Sequence, residues 1–124
     1  MLFRSLVRAV KFGKRASRIG FDWPDAEGPR AKVTEELREL DEAVQTKDAD
    51  AMRSEFGDVL FALANLARHL DIDPERALRE TNARFARRFA AVEARARAVP
   101  GADLDALEAA WVEAKERERG GGAT

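Results

Sequence analysis

Four acidic residues have the types and spacing best suited to chemistry in this sequence. Glu36 and Glu39 stand three positions apart, and Glu55 and Asp58 repeat that spacing further along the chain. Because residues three apart lie on one side of an α-helix, each pair presents two carboxylates in a similar direction. Carboxylates that converge can bind a hard divalent cation or move a proton.

Bringing these carboxylates together costs free energy, and this cost limits what the site can contain. Each close pair repels by about 1 to 4 kcal/mol at surface-like screening, and either protonation of an acid or a bound cation offsets that repulsion. Mg²⁺ and Mn²⁺ prefer oxygen ligands and bind phosphate oxygens. Since the chain has no cysteine and a single histidine, His69, the sequence disfavours zinc.

The same acids also fit the exposed faces of charged helices, which is the usual explanation for glutamate in a helix rich in alanine, leucine and arginine. Two features favour a site instead. The acids border the apolar positions rather than opposing them, and Gly57 interrupts a strong helix at a cost of about 1 kcal/mol relative to alanine. Gly57 either allows close approach of a helix or ligand between Glu55 and Asp58, or is incidental.

Two predicted helices carry the acids, and their apolar stripes define their orientation. The stripe of the first helix is Val33, Leu37, Leu40 and Val44, and that of the second is Met52, Phe56, Val59, Leu60, Leu63, Leu66 and Ala67. A short polar turn separates the helices. We therefore expect them to pack as antiparallel neighbours with these stripes facing a core.

Angular placement around the two helices predicts that the four acids line one cleft. At about 100° per residue, Glu36 and Glu39 lie roughly 70° and 130° to one side of their stripe. Glu55 and Asp58 lie roughly 75° and 135° to the same side of theirs. When the stripes of two antiparallel helices face one another, residues at equal angles from their stripes come to the same side of the pair. Glu35 lies on the side of its helix opposite the stripe, so we do not expect it to join the site.

The remainder of the chain predicts an all-α fold, an antiparallel helical bundle. Tyrosine is absent and strong helix formers dominate. We expect helices at about Leu2–Ile19, Arg30–Gln45, Ala49–Leu70, Pro74–Val99 and Leu104–Glu118. Asp48 or Asp50 is the expected N-cap of the third helix, and Asp73 that of the fourth. We also expect a single domain over residues 1–119 and a disordered tail over 120–124.

Charge and hydropathy exclude some classes of function. The 124 residues include 22 basic and 23 acidic ones, so the chain is not a generally basic nucleic-acid coat. Its basic start has no apolar stretch long enough for a signal peptide or a membrane span. We expect a cytoplasmic protein with no membrane and no stable nucleic-acid partner. Two alternatives stay open for the basic first helix: it is an organelle-targeting or membrane-surface helix, or it belongs to a nucleic-acid-binding bundle.

With its flanking segments, the acidic pattern resembles the MazG-like family of nucleoside triphosphate pyrophosphohydrolases. The signature of that family is E-E-x-x-E followed by E-x-x-D, which here reads Glu35, Glu36 and Glu39, then Glu55 and Asp58. The resemblance extends through RASRIGFDWPD, EFGDVLFALANLARHL and NARFARRF. It covers nearly the whole chain and is closest to the second, C-terminal domain of the longer MazG proteins.

The resemblance implies a metal, a reaction and an oligomeric state. Glu36, Glu39, Glu55 and Asp58 would be ligands of Mg²⁺, with Mn²⁺ as an alternative ion. The reaction would convert a nucleoside triphosphate and water into a nucleoside monophosphate and pyrophosphate, within a tight homodimer. Glu36 and Glu39 are the candidate proton acceptors for the attacking water, because they border the predicted cleft. His69 lies too far along its helix for that role.

The resemblance further implies that Arg84, Arg88, Trp111 and Lys115 contact the nucleotide. The first of these positions is commonly lysine in the family, and an arginine fork has a different reach. Ordinary surface charge and core packing remain the alternatives for these four residues. For Trp23, packing is favoured over stacking on a ligand. A non-catalytic dimeric helical protein, which interacts with partners or binds metal without turnover, is the competing function.

Overall fold

The computed structural model describes residues 4–122, with side chains described over residues 5–120, and within that range it contains helices and no strands. The helices are α1 (Arg4–Arg18), α2 (Glu27–Thr46), α3 (Ala49–His69), α4 (Pro74–Ala98) and α5 (Leu104–Gly122). The all-α prediction is confirmed. The predicted start of the first helix at Leu2 lies outside the described residues. None of the helices described is long and apolar enough to cross a membrane.

The chain divides into two compact units, Met1–Ala77 and Leu78–Thr124, and each is described by itself. In the first unit, α3 packs against both α1 and α2. In the second unit, Ala110 and Ala114 of α5 are buried. The expected single domain over residues 1–119 stays a prediction.

Helix α2 begins at Glu27, three residues earlier than its predicted start at Arg30. The Asp25 carboxylate accepts a hydrogen bond from the Glu27 amide at 3.0 Å, which supports the early start. Pro29 therefore lies in the first helical turn and is fully buried. Proline is tolerated there because the amide protons of the first turn have no partner within the helix.

A two-residue connection reverses the chain between α2 and α3. Lys47 adopts a left-handed conformation with φ of 58°, and its amide donates to the Val44 carbonyl at 3.1 Å. The Asp48 carboxylate then accepts hydrogen bonds from the amides of Asp50 and Ala51, which identifies Asp48 as the N-cap. The connection holds the two helices as antiparallel neighbours.

Helix α5 continues to Gly122, so the described residues 120–122 are helical where the sequence predicts the start of a disordered tail. Each glycine costs about 1 kcal/mol relative to alanine in a helix. Extending a helix that is already nucleated adds one hydrogen bond for each residue fixed, which offsets part of that cost. Residues 123–124 of the predicted tail lie outside the described range.

The buried apolar side chains of α2 and α3 are mostly small, and only two of them belong to the predicted apolar stripes. They are Pro29, Ala43, Val59, Ala62, Ala64 and Ala67, of which Val59 and Ala67 are stripe members. Five large members of the stripes, Leu37, Val44, Phe56, Leu60 and Leu63, are instead 44% to 54% exposed. Their predicted burial in the core is therefore wrong for the single chain. Alanines allow two helices to approach closely, and the larger side chains then lie outside the contact.

Asp22 joins the loop after α1 to the end of α3. Its carboxylate accepts hydrogen bonds from both terminal nitrogens of the Arg68 guanidinium, at 2.8 and 2.9 Å, and lies 2.9 Å from His69 Nε2. The Trp23 amide donates to the same carboxylate at 2.8 Å. Arg68 holds the pKa of Asp22 far below its usual range, with a smaller contribution from His69. These contacts fix the loop that carries Trp23.

We expect Asp22→Asn to lower the free energy of unfolding by about 2 kcal/mol at pH 7, because the partly buried Arg68 loses its charged partner. A carboxyl whose pKa is depressed by folding stabilises the fold above its unfolded pKa of about 3.9 and loses that contribution as the pH falls further. The difference between variant and parent should therefore narrow below about pH 4. Urea unfolding across pH measures it.

Asp41→Asn is the control for this prediction, since Asp41 is exposed on α2. It should change the free energy of unfolding by less than about 0.5 kcal/mol. Equal effects of the two substitutions, or a difference between Asp22→Asn and the parent that persists unchanged into acid, would contradict the role given to Asp22.

Candidate active site

Three of the four predicted acids converge between α2 and α3. Glu36, Glu39 and Glu55 each offer a carboxylate oxygen, and these oxygens all lie within 4.8 Å of one another. Glu36 is buried, with 6% of its surface exposed, and the other two are half-buried. Oxygen atoms this close together can hold a metal ion. We call these three residues the acidic cluster.

Asp58 is exposed and does not join the acidic cluster. It lines a cavity of about 200 Å³ together with Glu36 and Lys32. Residues three apart on a helix differ by about 60° in direction. Because Glu55 points toward Glu36 and Glu39 of α2, Asp58 points to one side of that contact and lines this cavity instead.

Three of the four acids converge even though the helices are not oriented as predicted. Glu36 and Ala43 are buried residues of α2 on its side toward α3, whereas Leu37 is half-exposed. Glu36 therefore lies in the contact between the helices and not some 70° away from it. Glu36, Glu39 and Glu55 still meet in this orientation. Glu35 has a side chain that is 46% exposed and stays outside the acidic cluster, as expected.

Lys32 contacts the acidic cluster and was not among the predicted site residues. Its ammonium lies 3.0 Å from Glu36 Oε1, and this contact raises the pKa of Lys32 above its usual value. The available signal was its position four residues before Glu36, the spacing at which helical side chains pair. Lys32 thus neutralises one of the three carboxylates of the acidic cluster.

Two carboxylate oxygens of the acidic cluster have no protein partner. Glu36 Oε2 and Glu55 Oε2 are buried, and neither has a hydrogen-bond partner among the described residues. Burying an unpaired charged oxygen is costly, and a bound cation would remove that cost. All donors available here are carboxylate oxygens, which suit a hard divalent cation better than zinc. The residues present therefore fit a metal ion.

Repulsion within the acidic cluster alters the acidity of Glu39. The neighbouring charge of Glu36 raises the pKa of Glu39, with burial and the charge of Glu55 adding to the effect. The protonated form of Glu39 is thereby favoured while no cation is bound. A cation bound at the acidic cluster would therefore compete with a proton on Glu39.

The glycine predicted to allow a close approach is not the one that does so. A methyl group added at Gly57 would meet no described atom within 4 Å, so no contact requires glycine there. A methyl group at Gly28 would collide with the indole of Trp23. Gly28 in the first turn of α2 therefore allows the Trp23 ring to pack against that helix.

The second unit brings together two of its predicted nucleotide contacts. The Arg88 guanidinium carbon lies 5.7 Å from the centre of the Trp111 ring, and the Phe85 ring lies 5.2 Å from Trp111. Arg88 Nη2 is also 2.9 Å from Glu118 Oε2, an acid that the sequence analysis did not single out. Glu118 is two helical turns beyond Trp111, on the same face, which was the signal available.

The other two predicted contacts in this unit are less constrained. Arg84 donates a hydrogen bond to Thr81 Oγ1 at 3.3 Å and is exposed. Lys115 is half-buried one turn after Trp111. Nucleotide binding by these residues stays a prediction.

A comparison with known families identifies the chain's relatives. The sequence model of the MazG nucleotide pyrophosphohydrolase domain matches residues 26–92, which is more than half of the chain. The chain belongs to this family. The matched range contains the acidic cluster, Asp58, Arg84 and Arg88, whereas Trp111 and Lys115 lie beyond it.

Individual MazG relatives agree with this assignment. The chain is 46% identical over 92 residues to a nucleoside triphosphate pyrophosphohydrolase/pyrophosphatase MazG of Thermotoga maritima, covering 74% of this chain and 35% of that protein. It is 42% identical over 120 residues to a nucleoside triphosphate pyrophosphohydrolase of Escherichia coli K12, covering 92% of this chain and 46% of that one. The chain thus spans less than half the length of these relatives.

We expect the metal-free protein to lose stability as the pH rises above about 4.3, the usual pKa of glutamate. A carboxyl whose pKa is raised by folding binds more protons in the folded state, so stability falls as the pH rises through that window. Glu36→Gln removes the largest cause of the raised pKa of Glu39. The fall in the free energy of unfolding with rising pH should therefore be smaller in Glu36→Gln than in the parent. Urea unfolding at several pH values, with a chelator present, measures it.

Glu42→Gln supplies the matched control, because the Glu42 side chain is 64% exposed on the same helix and lies outside the acidic cluster. It should keep the pH dependence of the parent. An unchanged pH dependence in Glu36→Gln would show that the carboxylates do not interact as described.

Proposed function

We propose that the chain hydrolyses nucleoside triphosphates, ribo or deoxy, between the α and β phosphates, releasing a nucleoside monophosphate and pyrophosphate. The observation that carries this proposal is the pair of buried, unpartnered oxygens of Glu36 and Glu55 within the acidic cluster of a MazG family member. The names of the relatives from Thermotoga maritima and Escherichia coli support the same reaction.

We propose Mg²⁺ as the cofactor, with Mn²⁺ as an alternative ion. Glu36, Glu39 and Glu55 would hold it, and Asp58, on the same cavity as Glu36, would be the fourth ligand. When bound, the ion supplies neutralisation of charge at the phosphate oxygens. Lys32 would keep Glu36 ionised and oriented for this role.

Of the two candidate proton acceptors, we propose Glu39. Glu36 is buried and one of its oxygens is already paired with Lys32, which limits its access to an attacking water. Glu39 is half-buried, so its carboxylate can reach both the cluster and solvent. It would take the proton of the water as the oxygen attacks phosphorus.

Arg84, Arg88, Trp111 and Lys115 are proposed to contact the nucleotide, the cations at phosphate oxygens. A guanidinium binds two phosphate oxygens at once through its planar fork. In the free chain Arg88 donates a hydrogen bond to the Glu118 carboxylate, and this contact lowers the pKa of Glu118. A phosphate would replace this carboxylate with a ligand of the same charge sign.

We propose that the protein is a cytoplasmic homodimer without a membrane or stable nucleic-acid partner. Large apolar side chains of α2 and α3 that are 44% to 54% exposed support a dimer, because exposed apolar patches mark protein interaction sites. They are Leu37, Val44, Phe56, Leu60 and Leu63, and we call them the apolar face. A second copy of the chain is its proposed cover.

We expect the purified protein to release pyrophosphate from nucleoside triphosphates with Mg²⁺ and not in a chelator. Glu39→Gln and Asp58→Asn should each lower kcat by about a hundredfold or more, because loss of a ligand group or proton acceptor has effects of that size. Glu35→Gln is the control, since Glu35 lies outside the acidic cluster, and it should keep activity within about threefold.

The outcomes of that assay separate the candidate functions. Absence of hydrolysis across ribo- and deoxynucleoside triphosphates, with Mg²⁺ still raising the melting temperature, would favour the non-catalytic metal-binding alternative. Full activity in both Glu39→Gln and Asp58→Asn would support the proposed reaction but refute the proposed roles of these two residues.

We expect sedimentation equilibrium at micromolar concentration to give twice the chain mass. Leu60→Arg should produce monomers, because a charge in the middle of the apolar face is costly to bury. Leu78→Arg is the control at a residue of similar exposure outside that face, and it should leave the dimer intact. A parent protein that is monomeric throughout would refute the proposed dimer.

A further inference from the structure

A second cavity, of about 670 Å³, lies in the first unit beside the acidic site. Four aromatic residues line it: Phe12, Phe21, Trp23 and Phe61. Their side chains are 42% to 77% exposed, so they serve as a surface and not as a closed core. The volume is in the range that holds small organic ligands. We call this space the aromatic cavity.

The aromatic cavity shares part of its wall with the cavity of about 200 Å³ that Asp58, Glu36 and Lys32 line, which we call the acidic cavity. Trp23, Phe61 and Asn65 line both spaces. The acidic cavity also contains Glu36 and Asp58. A molecule with a flat ring at one end and phosphates at the other would therefore find suitable surroundings for both ends side by side.

The single amide on these shared walls has a defined orientation. Asn65 Oδ1 accepts hydrogen bonds from Arg68 Nε at 3.1 Å and Nη2 at 2.7 Å. Because a guanidinium only donates, the oxygen end of the amide must face Arg68. The Nδ2 group, which only donates, is then the end of Asn65 presented to a ligand.

The network behind Asn65 holds both this amide and the aromatic wall in place. Arg68 bonds Asn65 and also both oxygens of Asp22, the residue before Trp23. On its other side the Trp23 ring packs against Gly28. The ring and the amide donor are thus fixed by one set of charged contacts.

We propose that the aromatic cavity binds the nucleobase of the substrate, with Asn65 Nδ2 donating to an acceptor on the edge of the base. Every nucleobase has a flat π-face that stacks on aromatic side chains, and its edge acceptors differ from base to base. Asn65 is therefore a specificity-determining residue, and Asp22 and Arg68 are positioning residues. This inference rests on the proposed function, because it assigns a subsite for the same substrate.

The first test compares kcat/KM for the four ribonucleoside triphosphates in the parent and in Asn65→Asp. The aspartate keeps an acceptor for Arg68 but removes the donor, so the ratio between preferred and disfavoured bases should change by at least about tenfold. Gln45→Glu makes the same change of an amide into an acid at an exposed position of α2 and should leave the ratios unchanged. An equal loss for all four bases would overturn the assignment to Asn65.

The second test uses free ribonucleosides without metal, which carry a base but no phosphate. In nitrogen-15 spectra, the indole signal of Trp23, assigned by its loss in Trp23→Phe, should shift on addition of nucleoside. Phe61→Leu, an apolar substitution at a residue that is 49% exposed, should reduce that shift severalfold. No shift of this signal at millimolar nucleoside, in a protein that hydrolyses triphosphates, would refute the base site alone. A shift without any hydrolysis would refute the proposed function and keep the base site.

Discussion

The repulsion among three carboxylates placed between two packed helices is the interaction on which the rest of the site depends. Glu36, Glu39 and Glu55 lie this close together where α2 packs against α3, two helices joined by a two-residue connection. The single ammonium of Lys32 leaves 3 − 1 = 2 negative charges when all three acids are ionised. A divalent cation is the simplest ligand that restores neutrality, and protonation of an acid is the response available without one.

Local spacing was sufficient to predict the helices, to limit the N-cap of α3 to Asp48 or Asp50, and to bring Glu36, Glu39 and Glu55 together, although it also placed Asp58 with them. It did not predict which face of each helix is buried. The sequence analysis assumed that the largest apolar residues form the core, yet Leu60 is half-exposed while Ala62 is buried. Contacts that come from distant segments were also missed. The pairing of Asp22 with Arg68 spans 46 positions and leaves no periodic signal in the sequence.

Helix α3 connects the chemistry of the site to the recognition proposed here. Its first half supplies Glu55 to the acidic cluster, and its second half supplies Asn65 and Arg68 to the aromatic cavity. Glu55 and Asn65 are 65 − 55 = 10 residues apart, which is about 15 Å along a helix. A rigid helix fixes this separation better than a loop would, so a substrate that reaches from the aromatic cavity to a cation at the acidic cluster would be held at two points of one element.

The loop after α1 is held in place by interactions of a different kind from those that hold α3. It owes its position to charged contacts, since Asp22 is bound by Arg68 and His69, and to the absence of a side chain at Gly28. Charged contacts of this kind act over short distances and are lost together when one partner is removed. The aromatic cavity therefore depends on the Asp22 network, whereas the acidic cluster depends on the packing of α2 and α3. Substitutions in the loop should for this reason alter the choice of base without dispersing the carboxylates.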